Sequence, residues 1–394
     1  MLKKIVVFAL FFQFMTSCNK NDADYETISE WEAVDAMFGN RLDLNNLHNY
    51  SNQDKPTYIT KDNSAGNQIT DKGATLGRVL FYDKNLSANN AISCANCHQQ
   101  AFAFSDDDEK SIGIQGPTHR HSMRLVNARF SEESRFFWDE RASTLEMQTT
   151  MPIKDHIEMG FSGTNGDENF GALISKLSQI SYYRALFKFV YGNEEITETK
   201  IQLALAQFVR SIQSFDSKYD FGRATAMNDL VPFENFTEEE NLGKQLFMTA
   251  PIFNRQSLRT SGGVGCISCH RAPEFDIDPL SKNNGIVGSL NGENDYSVTR
   301  SPSLRNVVNP EGVLNGPLMH TGRLISLESV VIHYGNLGLA TTGNPNLDPR
   351  LEPNENFGQE LNLTATEINA VVAFLKTLSG NDVYTNEKWS NPFE

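Results

Sequence analysis

The five-residue pattern Cys-x-x-Cys-His occurs twice in the chain, at residues 94–98 and at residues 266–270. In this pattern two thiols add to the vinyl groups of a haem, and the neighbouring imidazole becomes an axial ligand of the iron. The sequence therefore predicts two covalently bound c-type haems. The attachment residues are Cys94, Cys97 and His98 for the first haem, and Cys266, Cys269 and His270 for the second.

Zinc is the alternative partner for closely spaced cysteine and histidine. Structural zinc sites usually bring two Cys-x-x-Cys pairs within about 15 to 20 residues of each other. The two pairs in this chain lie far apart, and each has its own adjacent histidine. Haem is therefore the favoured interpretation, and it leaves Cys18 as the one cysteine with a separate role.

Cys18 follows a segment that has the layout of an exported lipoprotein signal over residues 1–17. Lys3 and Lys4 precede an apolar run over 5–15, and small residues come directly before the cysteine. The run is shorter than the roughly 20 residues that a spanning helix needs. Cleavage before Cys18 would free its thiol for lipid, and an ordinary secretory signal is the alternative. Either signal predicts a location in the periplasm or cell envelope, where covalent haem attachment takes place.

The composition limits both the architecture and the partners. With 394 residues and 39% hydrophobic content, the chain is long enough for two domains with their own cores. The net charge of −15 argues against a nucleic-acid partner, because phosphate binding requires a basic surface. An acidic surface suits a basic electron-donor protein by electrostatic steering, although the same balance also keeps proteins soluble.

A short internal repeat divides the chain. Residues 76–81 (LGRVLF) and 242–247 (LGKQLF) each precede a haem motif and place apolar residues at three- and four-residue steps, which predicts two short helices. Two unrelated amphipathic helices are the alternative to duplication of a cytochrome c core. An apolar stripe over 201–215 predicts a further helix, and capping-box patterns at 237–240 and 364–367 predict two helix starts.

We therefore expect a mainly α protein with two cytochrome c-like haem domains and long loops. The predicted boundary between the domains lies between about Tyr219 and Glu238. The expected segments are a tether over 18–70, a first haem domain over 71–230 and a second haem domain over 231–394. The tether is rich in Asn, Asp, Ser and Thr, and we expect it to be partly ordered where it meets the body.

The segment around the first motif resembles the peroxidatic half of the bacterial dihaem cytochrome c peroxidases, a family that also contains the MauG-like enzymes of methylamine utilisation. The resemblance covers about residues 76–335 in the family's order. The matching segments in the first half are 94–98, 111–113 (SIG), 120–127, 136–141 (FFWDER), 145–148 (LEMQ) and 158–160 (EMG). Those in the second half are 266–270, 301–306 (SPSLRN), 319–323 (MHTGR) and 327–334.

The resemblance implies a role for four side chains of the first half. His98 would be the proximal ligand of the haem at which peroxide binds. Glu158 would move a proton from the inner to the outer peroxide oxygen, and Gln148 would help to position peroxide or water. Trp138 would lie between the haems and pass electrons. These roles depend on the family pattern, because a lone tryptophan is more often packed and a lone glutamate more often solvated.

Two positions depart from the family pattern. Ile114 follows Ser-Ile-Gly where many members have a histidine that caps the peroxidatic iron, and isoleucine cannot ligate iron. The first haem is then open at rest unless His119 or His121 reaches it. The family's Arg-Asn pair is Arg120-His121 here, which puts an interdomain calcium ion in doubt.

The second axial ligand of the second haem is a further expectation. In the well-known peroxidases it is a methionine, which raises the reduction potential. Alignment through 327–331 places Tyr334 at that position, as in the MauG-like enzymes, and an anionic phenolate would lower the potential. Met319 and His333 are the alternatives.

The resemblance implies a cytochrome-c peroxidase that reduces hydrogen peroxide to water. Its partners would be hydrogen peroxide and a small electron-donor protein, such as a cytochrome c or a cupredoxin, with electrons entering at the second haem. A lipid anchor at Cys18 and a homodimer are further expectations. One alternative is a MauG-like oxidase of a protein or organic substrate, which Tyr334 and Ile114 favour. The other is a non-catalytic electron carrier, which would need two six-coordinate irons.

Overall fold

The structure, a computed structural model, describes residues 31–337, 343–354 and 357–394. The predicted signal, Cys18 and the first part of the predicted tether lie outside the described residues. Within the described ranges, no helix combines the length and the apolar content that crossing a bilayer requires.

The fold is mostly helical, as predicted. In chain order the helices are α1 (Glu32–Phe38), α2 (Asp71–Tyr82), α3 (Cys94–Cys97), α4 (Leu145–Thr150), α5 (Phe170–Ser178), α6 (Ser181–Tyr191), α7 (Glu198–Ser211), α8 (Lys218–Thr225), α9 (Glu238–Met248), α10 (Leu327–Gly335), α11 (Ala365–Lys376) and α12 (Asp382–Thr385). The strands of the described ranges pair as short antiparallel hairpins: β1 (Ile112–Gly113) with β2 (Gly116–Pro117), β3 (Pro251–Phe253) with β4 (Arg259–Gly262), β5 (His270–Arg271) with β6 (Asp276–Ile277), and β7 (Gly288–Leu290) with β8 (Glu293–Asp295).

Local sequence signals determine where α9 and α11 begin. At α9, the Thr237 side chain accepts a hydrogen bond from the Glu240 N–H, and the Glu240 carboxylate accepts one from the Thr237 N–H. Thr364 and Glu367 form the same capping box at α11, so both predicted starts are confirmed. The helix predicted from the apolar stripe over 201–215 is too long, because α7 ends at Ser211, before the last apolar residue of that stripe.

Two clusters of buried apolar side chains form the interior. The first takes its members from residues 34–212 and from Val383 and Trp389, and the second takes its members from residues 219–378. The C-terminal segment therefore leaves the second cluster and packs on the first.

The described part of the predicted tether is packed rather than free. Val34 and Phe38 of α1 are fully buried in the first cluster, as is Tyr50. The Tyr50 hydroxyl also donates to the Lys388 carbonyl oxygen, and the Tyr50 N–H donates to the Asp71 carboxylate at 2.8 Å. Residues 31–70 therefore meet the body of the protein through a few widely spaced apolar anchors, which their polar composition masked in the sequence.

A similar pair of packed helices accompanies each haem motif. In the first half α2 packs on α7, and a Cβ at Gly77 would overlap the Ala204 carbonyl oxygen. In the second half α9 packs on α11, and a Cβ at Gly243 would overlap the Ala370 carbonyl oxygen. The repeated segments 76–81 and 242–247 therefore use glycine in the same way. In each, the missing side chain lets two helix backbones approach closely.

Candidate haem sites

The first haem motif borders a cavity of about 400 Å³. Cys94 and Cys97 are the ends of the single-turn helix α3, and both line this cavity together with His98. Asn96 holds the turn, since its Oδ1 accepts hydrogen bonds from the N–H and the hydroxyl of Ser93, both at 2.9 Å. Neither thiol is in a disulfide. One helical turn thus presents two free thiols and an imidazole to one cavity.

The loop that follows α3 orients the His98 ring. Its Nδ1 lies 3.3 Å from the Phe104 carbonyl oxygen, and positive φ angles at Ala103 and Phe104 turn the chain back toward the imidazole. Burial lowers the pKa of His98 to about 4, so the ring is neutral at physiological pH. A neutral imidazole whose Nδ1 donates to a carbonyl leaves Nε2 available for iron.

The second motif borders a cavity of about 210 Å³. Cys266, Cys269 and His270 line it, and neither thiol is in a disulfide. Burial lowers the pKa of His270 to about 4, and its buried Nδ1 has no hydrogen-bond partner in the described part of the chain. Two free thiols beside a neutral imidazole are the donor set that a c-type haem requires, so each cavity fits one haem.

A carboxyl group and an amide line the first cavity together with His98. Glu158 and Gln148, the latter from α4, both border it. Burial raises the pKa of Glu158 to about 7, and the negative charge of Asp155 acts in the same direction, whereas the positive charge of Arg141 opposes it. Asp155 also fixes the turn, because its Oδ1 accepts the Glu158 N–H at 3.0 Å. A carboxyl group with this pKa can both accept and release a proton near neutral pH.

Ile114 lies at the tip of the β1–β2 hairpin, beside the backbone of Glu158. Its N–H donates to the Glu158 carbonyl oxygen at 3.1 Å. Its side chain packs on Gly160, which has a φ of +79° and where a Cβ would overlap the Ile114 side chain. Gly113 borders the first cavity, whereas Ile114 is not among the residues that line it. The position that carries a capping histidine in many relatives is therefore filled here by an apolar packing contact.

The two histidines named as alternative caps both border the first cavity. Both ring nitrogens of His121 have protein partners: Nδ1 lies 3.0 Å from the Asp108 carbonyl oxygen, and Nε2 lies 3.5 Å from the Ser105 hydroxyl. His119 is exposed. The His121 ring is thus held by hydrogen bonds to other groups, whereas these contacts do not restrain the His119 ring.

Trp138 lies in the wall between the two cavities and lines both of them. Its indole N–H donates to the His121 carbonyl oxygen at 2.7 Å, and its own carbonyl oxygen accepts the N–H groups of Thr299 and Arg300, both at 3.0 Å. Its ring meets that of His320 edge to face, with centroids 6.1 Å apart. The wall as a whole consists of His121, Ser122, Arg124, Trp138, Arg300, Ser301 and Pro302.

Arg120 connects the Trp138 segment to the second half of the chain. Its guanidinium donates to Asp139 at 2.6 Å, to Asp295 at 2.8 Å and to the Ser297 hydroxyl at 2.9 Å. Arg120 therefore binds two carboxylates at this junction, one from each half of the chain. Among the described residues, no group of three or more acidic, histidine or cysteine side chains is arranged to hold a metal ion.

Tyr334 and Met319, the two main candidates for the second ligand of the second haem, both line the second cavity. The Asn284 amide lies between them: its Nδ2 is 3.1 Å from the Tyr334 hydroxyl and 3.4 Å from the Met319 sulfur. Burial raises the pKa of Tyr334 above its ordinary value. His333 does not line the cavity, and its Nε2 lies 2.9 Å from the Asn284 carbonyl oxygen. Tyr334 and Met319 therefore remain candidates for the second ligand of the second haem, whereas the His333 ring lies outside the cavity.

Comparisons with known proteins agree on one family. A family model described as di-haem cytochrome c peroxidase matches residues 71–225. The methylamine utilization protein MauG of Methylophilus methylotrophus is 26% identical over 325 residues, which are 80% of this chain and 84% of the relative. The cytochrome c551 peroxidase of Nitrosomonas europaea is 28% identical over 326 residues, which are 78% of this chain and 80% of the relative. The chain is thus similar to dihaem cytochrome c peroxidases and MauG proteins over about four fifths of its length. This similarity implies two c-type haems, in agreement with the two cavities.

Solved structures support the same assignment. A MauG-like protein associated with microbial copper homeostasis has a TM-score of 0.66 and is 27% identical, with 87% of this chain and 99% of that chain covered. The diheme peroxidase BthA of Burkholderia thailandensis shares the fold, with a TM-score of 0.56 at 19% identity.

Two side chains of these sites have no signature in the sequence. Asn284 lies in an irregular loop, and no spacing rule relates it to Tyr334 or Met319. Arg124 falls within the matching segment 120–127, but nothing in that segment predicts that its guanidinium reaches the wall between the cavities.

Proposed function

We propose that the protein is a dihaem c-type peroxidase. Hydrogen peroxide, two electrons and two protons give two waters, and the electrons come from an external donor. The observation that carries this proposal is the position of Glu158, a carboxyl group with a pKa of about 7, in the cavity that also contains His98. When bound, the haem held by Cys94, Cys97 and His98 supplies the iron at which peroxide is reduced.

Proton transfer is the part of the reaction that this chain performs itself. The ionised Glu158 carboxylate takes the proton from the inner peroxide oxygen and delivers it to the outer oxygen, which then leaves as water. A pKa near the working pH suits a group that must accept and release the same proton. The Gln148 amide borders the same cavity and carries both a donor and an acceptor, which suits it to orient peroxide or water.

Electron delivery is proposed to run from the second haem site to the first. Cys266, Cys269 and His270 would hold the haem that receives electrons from the donor, and Trp138 would lie on the path between the two haem sites. The support is that Trp138 lines both cavities and that hydrogen bonds fix its indole and its backbone. We propose Tyr334 as the second axial ligand of that haem, with Met319 as the alternative.

The larger organisation is proposed on the sequence signals. We propose two cytochrome c-like domains over 71–230 and 231–394, export to the periplasm or cell envelope, and a lipid anchor at Cys18. The electron donor would be a cytochrome c or a cupredoxin. A homodimer is a further proposal, whereas the Arg120 bridge between Asp139 and Asp295 argues against a calcium ion between the domains.

Anaerobic stoichiometry tests the proposed function. The purified, haem-loaded protein is mixed with a reduced c-type cytochrome or cupredoxin and a limiting amount of peroxide. We expect two one-electron donors to be oxidised for each peroxide consumed. Peroxide-dependent oxidation of an added protein or amine without donor turnover would instead indicate the MauG-like oxidase, and no peroxide consumption would indicate an electron carrier.

A further inference from the structure

Arg124 is a buried arginine in the wall between the two cavities. Its side chain is 8% exposed, and it lines both cavities. Its Nε donates to the Arg305 carbonyl oxygen at 3.0 Å, and its Nη2 lies 3.3 Å from the Ser303 carbonyl oxygen. Its Nη1 makes no hydrogen bond with the described residues. The guanidinium therefore keeps a donor free at a place that faces the cofactor sites.

No carboxylate among the described residues forms an ion pair with Arg124. Two other buried arginines have such a partner, since Arg305 pairs with Asp220 at 2.8 Å and Arg210 pairs with Glu146, whereas Arg78 forms no ion pair with the described residues and lies away from both cavities. A buried charge without a counter-charge is strongly unfavourable, and burial lowers the pKa of Arg124 to about 10. An anionic group in the cavity would remove this imbalance.

Arg300, the second arginine of the wall, is in a different situation. It donates to the backbone of Glu133 and Arg135, and the charges of Glu133, Glu140 and Asp276 act on it favourably. Burial still lowers the pKa of Arg300 to about 10, but these three carboxylates and two backbone acceptors lie close enough to oppose the effect. Arg124 differs in that no carboxylate is among the groups that act on its charge.

We propose that Arg124 binds a propionate carboxylate of a haem held in one of the two cavities. The propionates are the anionic substituents of haem, and the cysteines engage the vinyl groups, so the propionates have to find cationic partners elsewhere. The free Nη1 donor would pair with the carboxylate, and the other two contacts of the guanidinium would hold it in place. This inference rests on the bound haems but not on peroxide reduction.

The proposed pairing would change the reduction potential of the haem. A fixed positive charge near the porphyrin favours the state that carries one more electron, so it raises the reduction potential of that haem. It also keeps the propionate ionised through the neutral pH range. Removal of the charge would lower the potential and make it depend on pH, because the uncompensated propionate would then take up a proton more readily.

Three variants separate the effect of the Arg124 charge from the effect of its hydrogen bonds to the two carbonyl oxygens. Arg124→Gln removes the charge, and Arg124→Lys keeps the charge but loses the bracing of two carbonyl oxygens. Arg78→Gln is the matched control, because Arg78 is also buried and donates to the Ser390 carbonyl and hydroxyl oxygens but lines neither cavity. Redox titration of both haems, repeated between pH 6 and pH 8, is the readout, and it does not require turnover.

For R124Q we expect the reduction equilibrium of at least one haem to fall about tenfold, which corresponds to about 59 mV for one electron. R124K should keep the wild-type potentials, and R78Q should lose thermal stability without a change in potential. Unchanged potentials in R124Q, or an equal fall in R124K, would overturn the proposal and leave Arg124 as a brace. If R124Q does not fold, R124K decides alone, because a propionate partner requires its potentials to stay at wild-type values.

Discussion

The two haem cavities share their attachment chemistry and the helix pair behind them, but different side chains line them. The first cavity contains Glu158, a carboxyl group that can exchange a proton near neutral pH. The second contains Tyr334 and Met319 on either side of Asn284, and its own acidic residue, Asp348, is paired with Arg350 at 2.6 Å. Two similar helix pairs thus support one site suited to proton transfer and one suited to a second protein ligand.

Removal of the proton-transfer group should have the largest effect. We expect Glu158→Gln to keep both haems and to lower peroxide turnover roughly 100- to 1,000-fold, within the range of general acid–base catalysis. Wild-type turnover should rise with pH through about 7, because only the ionised carboxylate accepts the peroxide proton, and E158Q should lose this dependence. Steady-state rates between pH 5.5 and pH 8.5 provide the check.

A matched control for this comparison is Glu109→Gln, since Glu109 is an exposed carboxylate paired with Arg323 and borders neither cavity. It should behave as wild type. Wild-type turnover in E158Q would remove Glu158 from the mechanism and would erase the chemical difference between the two cavities.

Substitution of the second-site candidates should have the next largest effect. If Tyr334 is the ligand, Tyr334→Phe should change the spectrum of the second haem and raise its potential by roughly 0.1 V or more, because axial ligands set haem potentials over a wide range. Met319→Leu is the paired variant and should leave the spectrum unchanged. Redox titration with optical detection separates the two. The opposite pattern would assign the ligand to Met319 and make the second site electron-accepting.

The shared helix pair predicts equal sensitivity in both halves. Gly77→Ala and Gly243→Ala should each lower the free energy of unfolding by about 1 to 3 kcal/mol, because a Cβ would overlap a backbone carbonyl oxygen of the facing helix. Gly66→Ala is the control, since a Cβ there meets no atom within 4 Å. Denaturant unfolding measures all three. Stability unchanged in one of the two halves would show that the helix pairs are not equivalent.

Disturbance of the wall should have the smallest of these effects. Trp138→Phe should slow electron transfer between the haems roughly tenfold, and it also removes the hydrogen bond to the His121 carbonyl oxygen. Trp389→Phe is the control, because Trp389 is equally aromatic and fully buried but lines neither cavity. Stopped-flow reoxidation of the reduced protein by peroxide distinguishes the two. Equal rates in both variants would mean that electrons cross the wall elsewhere.

Features that depend on a few neighbouring residues could be predicted from the sequence. The haem motifs and the capping boxes at Thr237 and Thr364 are defined within five residues, so their positions could be read directly. Contacts between distant segments could not be predicted. Trp389 packs in the first cluster although it lies at the C-terminus, and the anchors of residues 31–70, such as Phe38, carry no periodic pattern. The wall between the cavities is also assembled from separate segments, which explains why Trp138 needed the family resemblance.

Peroxide reduction by this protein requires one haem iron that is open to peroxide beside Glu158 and a second iron that has a protein ligand on each side. Absorption and electron paramagnetic resonance spectra of the resting, fully oxidised protein, recorded before and after one equivalent of peroxide, test this most directly. We expect one high-spin haem that peroxide converts and one low-spin haem. Two low-spin haems that do not respond to peroxide would contradict the account and would leave a dihaem electron carrier.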